Sequence, residues 1–191
     1  MNPAEVLEVL ERRKAVLRGH FRLSSGRHSD LFVQKFRVFE DPRLTQTLGE
    51  AIADRFDRDF ATVASPAVGA IVLGFATALA ADARMVFAER VEDDLEFRRG
   101  FRLGARERVL VVEDVITTGG SAREVVALVR SSGATPIGVG ALIDRGDAAR
   151  RIDYGVRLAS LLRLETNSWE PDECPLCADK VALDDPGSRR L

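Results

Sequence analysis

One unbroken stretch limits what this chain can fold into more than any other: Val109-Leu110-Val111-Val112-Glu113-Asp114-Val115-Ile116-Thr117-Thr118-Gly119-Gly120-Ser121. Four consecutive apolar residues need burial on both faces, which a strand finds inside a parallel sheet. Directly after the loop, Ala122, Val125, Val126 and Val129 recur at helical spacing and predict a helix over 122–130. The order is strand, loop, helix, and the rest of the chain repeats it. Residues 61–64 read as a short strand, 68–81 as a helix, 84–89 and 137–143 as strands, and 95–103 as a hairpin partner. Pro42 opens another helix with Leu44, Leu48, Ala51, Ile52 and Phe56 on one face. Residues 4–18 predict an amphipathic helix, and Leu31-Phe32-Val33 a strand after a turn-rich stretch. This alternation predicts an α/β, doubly wound fold, in which ligands sit beyond the carboxyl ends of the strands.

The loop itself carries chemistry. Thr117 to Ser121 offers backbone N–H groups and hydroxyls at a helix N-terminus, which suits a phosphate. Gly119 and Gly120 let the backbone approach a ligand closely. The helix-end field supplies only ~0.3–1 kcal/mol, so converging hydrogen bonds must do most of the holding. No lysine follows the loop, which excludes the P-loop of nucleotide hydrolases, and the glycine fingerprint of dinucleotide sites is absent. Glu113 and Asp114 would repel a bare phosphate but accept hydrogen bonds from hydroxyls. A sugar that carries a phosphate meets both demands.

Charge narrows the partners. The chain has 191 residues, with 28 basic and 30 acidic side chains and a net charge of −2. That balance disfavours nucleic acid and membrane surfaces as partners. The length suits one domain over residues 1–191. The N-terminus lacks the pattern of a secretory signal, and the longest apolar stretch, 67–81, is short for a membrane span. The cytoplasm is the expected compartment.

The only cysteines form Cys174-Pro175-Leu176-Cys177, which excludes a disulfide framework. Two thiols are half of a structural zinc site, so a plain turn is the favoured reading and zinc or a redox pair the alternatives. His20 and His28 are the only histidines, and no partner for either is visible in the sequence. No histidine triad or metal cluster is expected, no protein metal site is assigned, and His28 reads as a turn residue. The residues from Asp184 onward read as a frayed tail.

The stretch 109–121 resembles the phosphoribosyl pyrophosphate (PRPP) motif of the type I phosphoribosyltransferases in every element. The segment from Gly19 to Ser29 and the pair Asp144-Arg145 are similar to those of the orotate-using branch, and Ser65 to Gly69 stands at the family's pyrophosphate loop. The resemblance covers about residues 15–165. It implies a mainly parallel central sheet flanked by helices, with a small N-terminal hood from residues 1–40 and a C-terminal tail from 166–191.

The activity implied is transfer of phosphoribose from PRPP to orotate, giving orotidine 5′-phosphate and pyrophosphate in pyrimidine (UMP) biosynthesis. A purine or other base, or a non-catalytic PRPP-binding regulator, are the alternatives. By the same resemblance, Glu113, Asp114, Val115, Ile116, Thr117, Thr118, Gly119, Gly120 and Ser121 bind PRPP together with Arg90. Thr117, Arg145 and Phe32 bind orotate, and Ala67, Val68 and Gly69 form the pyrophosphate loop. Arg90 and Asp114 are the catalytic candidates. Mg²⁺ is expected, held mainly by PRPP, and a homodimer is expected. The chain departs from the pattern in a shorter mobile loop, with Arg90 in place of a lysine and no histidine, and in Gly69 at the place of another lysine.

Overall fold

A computed structural model describes residues 1–23, 25–146 and 153–186. The expectation for the end of the chain therefore lies partly outside the described residues. A six-stranded sheet has the order β5-β4-β3-β6-β7-β8, built from β3 (Thr62–Pro66), β4 (Arg84–Val91), β5 (Asp94–Phe97), β6 (Arg108–Ile116), β7 (Thr135–Asp144) and β8 (Leu158–Arg163). All neighbours pair in parallel except β5, which returns antiparallel to β4.

The strand β6 explains why its apolar run is continuous. Leu110 and Val112 enter a core shared with the helices α1 (Pro3–Arg12), α3 (Pro42–Asp54) and α4 (Ile71–Ala80). Val109 and Val111 enter a second core on the opposite face, under α5 (Gly120–Ser131). Alternate side chains thus leave water on both sides, as parallel pairing demands. The helices begin where their caps dictate. Asn2 accepts from the Glu5 N–H while the Glu5 carboxylate accepts from the Asn2 N–H, closing a capping box ahead of Pro3. Asp41 caps α3 by accepting from the N–H groups of Arg43 and Leu44.

A second, three-stranded sheet has the order β1-β2-β9, from β1 (Val16–Arg22), β2 (His28–Val33) and β9 (Ser168–Trp169). Two expectations change here. The first helix stops at Arg12 instead of reaching residue 18, because Lys14 takes φ +54° and Ala15 is already buried at the start of the small sheet. The turn-rich stretch 19–30 is largely a hairpin, so Gly19 to Arg22 is strand. The helix expected over 68–81 starts at Ile71, and the hairpin partner expected over 95–103 is strand only as far as Phe97. The chain end is also held: Asp184 donates its N–H to the His20 carbonyl and accepts from the Arg22 N–H. It is not frayed at that point. Beyond β9 lie a 3₁₀ turn (Pro171–Glu173) and the single-turn α6 (Pro175–Ala178). A further single turn, α2 (Phe36–Phe39), follows β2.

The amino ends of the large sheet are tied by charge. Glu107 accepts from the Thr62 hydroxyl, from the Arg84 guanidinium at 2.9 Å and from the Gly104 N–H at 2.5 Å. Arg108 pairs with Asp59 at 2.8 Å. The carboxyl ends of the same strands carry a different set of residues.

Candidate active site

Three loops meet beyond the carboxyl ends of β3, β6 and β7. The loop after β6 has only three residues, Thr117, Thr118 and Gly119, before α5 begins. Gly119 occupies the left-handed region at φ +81° as the residue that caps α5, and no side chain caps this helix. The first N–H groups of α5 are therefore left to another acceptor. Thr117 and Thr118 are exposed, and Gly120 and Ser121 are half-buried.

Behind this loop the two acids are almost fully buried. Glu113 accepts from the Asp114 N–H at 3.1 Å, and Asp114 ion-pairs with Lys35, which follows β2. Burial, and then the neighbouring Asp114 charge, push the Glu113 carboxyl up to about 8. Lys35 opposes that shift. The free protein thus keeps a proton on Glu113 at neutral pH beside an Asp114 held by a cation.

The loop after β3 closes on the same point. Gly69 lies against the Asp114–Lys35 pair, so that any Cβ there would overlap both Asp114 Oδ2 and Lys35 Nζ. Only glycine permits that approach. Ala67 bonds through its N–H to the Ala88 carbonyl at 2.7 Å, the Ala67–Val68 peptide bond is cis, and Val68 is exposed.

The loop after β7 supplies Arg145. Its N–H donates to the Ile116 carbonyl at 2.8 Å, which fastens it to the start of the Thr117 loop. Gly146 follows, donating to Asp144 Oδ1 at 2.8 Å. The Arg145 side chain is half-buried, and its buried Nε has no hydrogen-bond partner among the described residues. Burial pulls its pKa down, against the field of Asp30. Asp30 itself is held by the backbone and side-chain amides of Asn167, at 3.2 and 2.9 Å.

Two sequence candidates stand apart. Arg90 ion-pairs with Glu124 of α5 at 2.6 Å and donates to the Asp93 carbonyl, an arrangement that raises its pKa through the Glu124 hydrogen bond. Phe32 packs its ring against Phe21, centroids 5.8 Å apart. Val115 is half-buried and Ile116 buried within β6. Lys35 and Asp30 were not among the candidates. The signal for Lys35 is its place two residues after an apolar strand and just before Phe36, whose ring its ammonium faces at 5.5 Å.

The histidine expectation is corrected. His20 and His28 are both buried, not solvated, and both meet Cys174 and Cys177, so a cluster of metal-ligating groups does exist. Hairpin pairing of β1 with β2 brings the histidines together, and the tail folding back brings the thiols.

The parallel sheet thus brings a buried acidic pair, a short hydroxyl-rich loop and an uncapped helix together at one strand end, the set of groups expected for a sugar that carries a phosphate. The family model for the phosphoribosyl transferase domain matches residues 38–176, and the chain belongs to that family. Among its relatives, the orotate phosphoribosyltransferase of Caldanaerobacter subterraneus is 43% identical over 192 residues, covering 100% of both chains. That of Thermotoga maritima is 42% identical over 187 residues, 97% of this chain and 99% of the relative. Of solved structures, the orotate phosphoribosyltransferase of Aeropyrum pernix superposes with a TM-score of 0.70 at 29% identity, over 83% of this chain and 93% of that one. The Mycobacterium tuberculosis enzyme in complex with PRPP gives 0.63 at 29% identity, over 85% and 96%.

Proposed function

We propose that the chain transfers phosphoribose from PRPP to N1 of orotate, releasing pyrophosphate and forming orotidine 5′-phosphate. The observation that carries the choice of base is Arg145. A half-buried arginine whose buried Nε has no partner among the described residues, anchored beside the Thr117 loop, is a fork waiting for a planar anion. Orotate offers a carboxylate on a flat ring, and the common purine bases offer none. Thr117 and Phe32 would complete the orotate pocket.

The other partners follow from the same geometry. The N–H groups and hydroxyls of residues 117–121 suit the 5′-phosphate, and Glu113 and Asp114 suit the ribose hydroxyls. Glu113 must give up its proton, or turn it outward, to accept from a hydroxyl. Ala67, Val68 and Gly69 face the position of the leaving pyrophosphate. The transition state separates charge, so cations count most at the pyrophosphate. Arg90 is the candidate for that role once it leaves Glu124. Mg²⁺ would arrive chelated by PRPP oxygens and screen their charge. The protein offers it little, because Glu113 and Asp114 are engaged by the ribose hydroxyls in this reading and Asp114 also pairs with Lys35.

The working form is a homodimer. Val72, Phe75 and Leu79 form one stripe along α4, with Val68 beside them, and these four are 43–73% exposed. Among the described residues no helix is long and apolar enough to cross a membrane. A cytoplasmic enzyme of UMP synthesis fits this reading. The test is a spectrophotometric assay with orotate, PRPP and Mg²⁺, run beside a panel of purine bases. Orotate should be consumed and the purines left. Turnover of a purine with orotate untouched would overturn the reading.

A further inference from the structure

The four soft metal ligands of this chain converge on one point. The sequence contains two histidines and two cysteines in all. Their ligand atoms, one from each of His20, His28, Cys174 and Cys177, lie within 4.8 Å of one another. Cys174 stands 154 residues from His20, so this is no accident of local sequence.

Three of the four ligand-to-ligand distances match the edges of a tetrahedral zinc site, and the fourth, between the two histidines, is a few tenths of an ångström short. His20 Nε2 is 2.9 Å from His28 Nδ1, 3.5 Å from Cys174 Sγ and 3.7 Å from Cys177 Sγ, and Cys177 Sγ is 3.3 Å from His28 Nδ1. Zinc bonds of about 2.0–2.1 Å to nitrogen and about 2.3 Å to sulfur, at tetrahedral angles, set these edges at roughly 3.3–3.8 Å. The outer contacts also fit. His20 Nδ1 lies 2.9 Å from the Val181 carbonyl, which can only accept, so Nδ1 carries the proton and Nε2 presents its lone pair inward. The cysteine pair sits in a turn in which the Cys174 carbonyl accepts from the N–H groups of Cys177 and Ala178. That turn aims both thiols the same way. No carboxylate belongs to the cluster, and a set of two thiols and two imidazoles selects zinc over magnesium or calcium.

We propose that His20, His28, Cys174 and Cys177 bind one Zn²⁺ as a closed structural site. Binding takes a proton from each thiol and releases both to solvent, leaving a neutral site of two thiolates, two neutral imidazoles and the dication. All four coordination positions are filled by protein, so the ion does no chemistry on substrate. Its work is to staple the tail to the β1–β2 hairpin. That hairpin leads into Lys35 and carries Asp30 and Phe32, so the staple steadies one wall of the active site from outside it.

The test is metal content and spectroscopy of the whole protein, purified under reducing conditions, reloaded with Zn²⁺ and dialysed. One zinc per chain is expected. Replacement by Co²⁺ should give a thiolate-to-cobalt charge-transfer band and the intense visible bands of a tetrahedral ion. Cys174→Ser with Cys177→Ser should abolish both. Chelation of the wild-type protein provides a second readout that does not depend on the variant's folding. Zinc removal should speed proteolytic cleavage within residues 165–186. Zinc far below one per chain after reloading, with a pale octahedral cobalt spectrum or a Cys174–Cys177 disulfide, would overturn the proposal. These readouts do not involve orotate or PRPP, so they stand or fall apart from the proposed activity.

Discussion

Replacement of Arg145 by methionine separates a binding arginine from a structural one. Among the described residues the buried Nε has no hydrogen-bond partner, and a buried unpaired donor costs about 1–3 kcal/mol. Methionine keeps much of the apolar stem and removes that cost. The change also removes the positive field at Asp30, but Asp30 keeps both of its bonds from Asn167. The net is a gain of about 1 kcal/mol, or about 2–4 °C in melting temperature for a chain of this size. Activity should move the other way. Loss of one partner from a buried charge pair costs about 2–5 kcal/mol, which lowers kcat/KM for orotate by about 30-fold or more. The KM for PRPP should stay near the wild-type value. Calorimetry and the orotate absorbance assay read the two quantities independently. A variant that melts several degrees lower, with orotate kinetics unchanged, would make Arg145 a fold-holding cation and refute the reasoning.

Other substitutions probe the rest of the site. The native protein keeps a proton on Glu113 up to about pH 8 that the unfolded chain, with an ordinary value of 4.5, releases earlier. Wild-type stability at this group therefore falls as pH rises between those values, and the melting-temperature advantage of Glu113→Gln should be larger at pH 8 than at pH 5; a pH-independent difference would count against a protonated Glu113. Gly69→Ala forces a methyl into the Asp114–Lys35 pair, so a loss of about 1–3 kcal/mol with weakened PRPP binding is expected in denaturant titrations and calorimetry. Arg90→Ala should lower kcat by about 100-fold with PRPP affinity little changed, since its effect belongs to the charge that develops on the leaving group; unchanged turnover would remove Arg90 from catalysis. Phe75→Asp places a charge in the exposed stripe of α4 and should shift sedimentation from dimer to monomer without lowering the melting temperature of the monomer fold.

Much of the large sheet was legible because its signals are local. The run Val109 to Val112 announces burial on both faces, and β6 lies at the centre of the sheet with α5 directly after it. The Glu113–Ser121 stretch is contiguous, so one strand end delivers all of it. The small sheet was less legible. Lys14 turns the chain through a left-handed residue that no periodicity marks, and the hairpin is rich in residues that also suit a turn. The contacts that escaped join distant segments. Lys35 meets Asp114 across 79 positions, and His20 meets the cysteine pair only because the tail returns to β1. No spacing rule encodes such meetings, whereas Arg145 directly follows an apolar strand that the sequence marks, and it stands just after β7.

The ion pairs at the amino ends of the sheet lie a full strand away from this chemistry. Along β6, Glu107 stands six residues before Glu113 and seven before Asp114, about 20 and 23 Å away. Both distances exceed the screening length of about 8 Å in physiological salt. Glu107, Arg84, Arg108 and Asp59 thus act only weakly, by distance, on Glu113, Asp114 and Arg145. That rim is where the protein can be recharged, tagged or tethered to a surface while the catalytic rim still sees its native field.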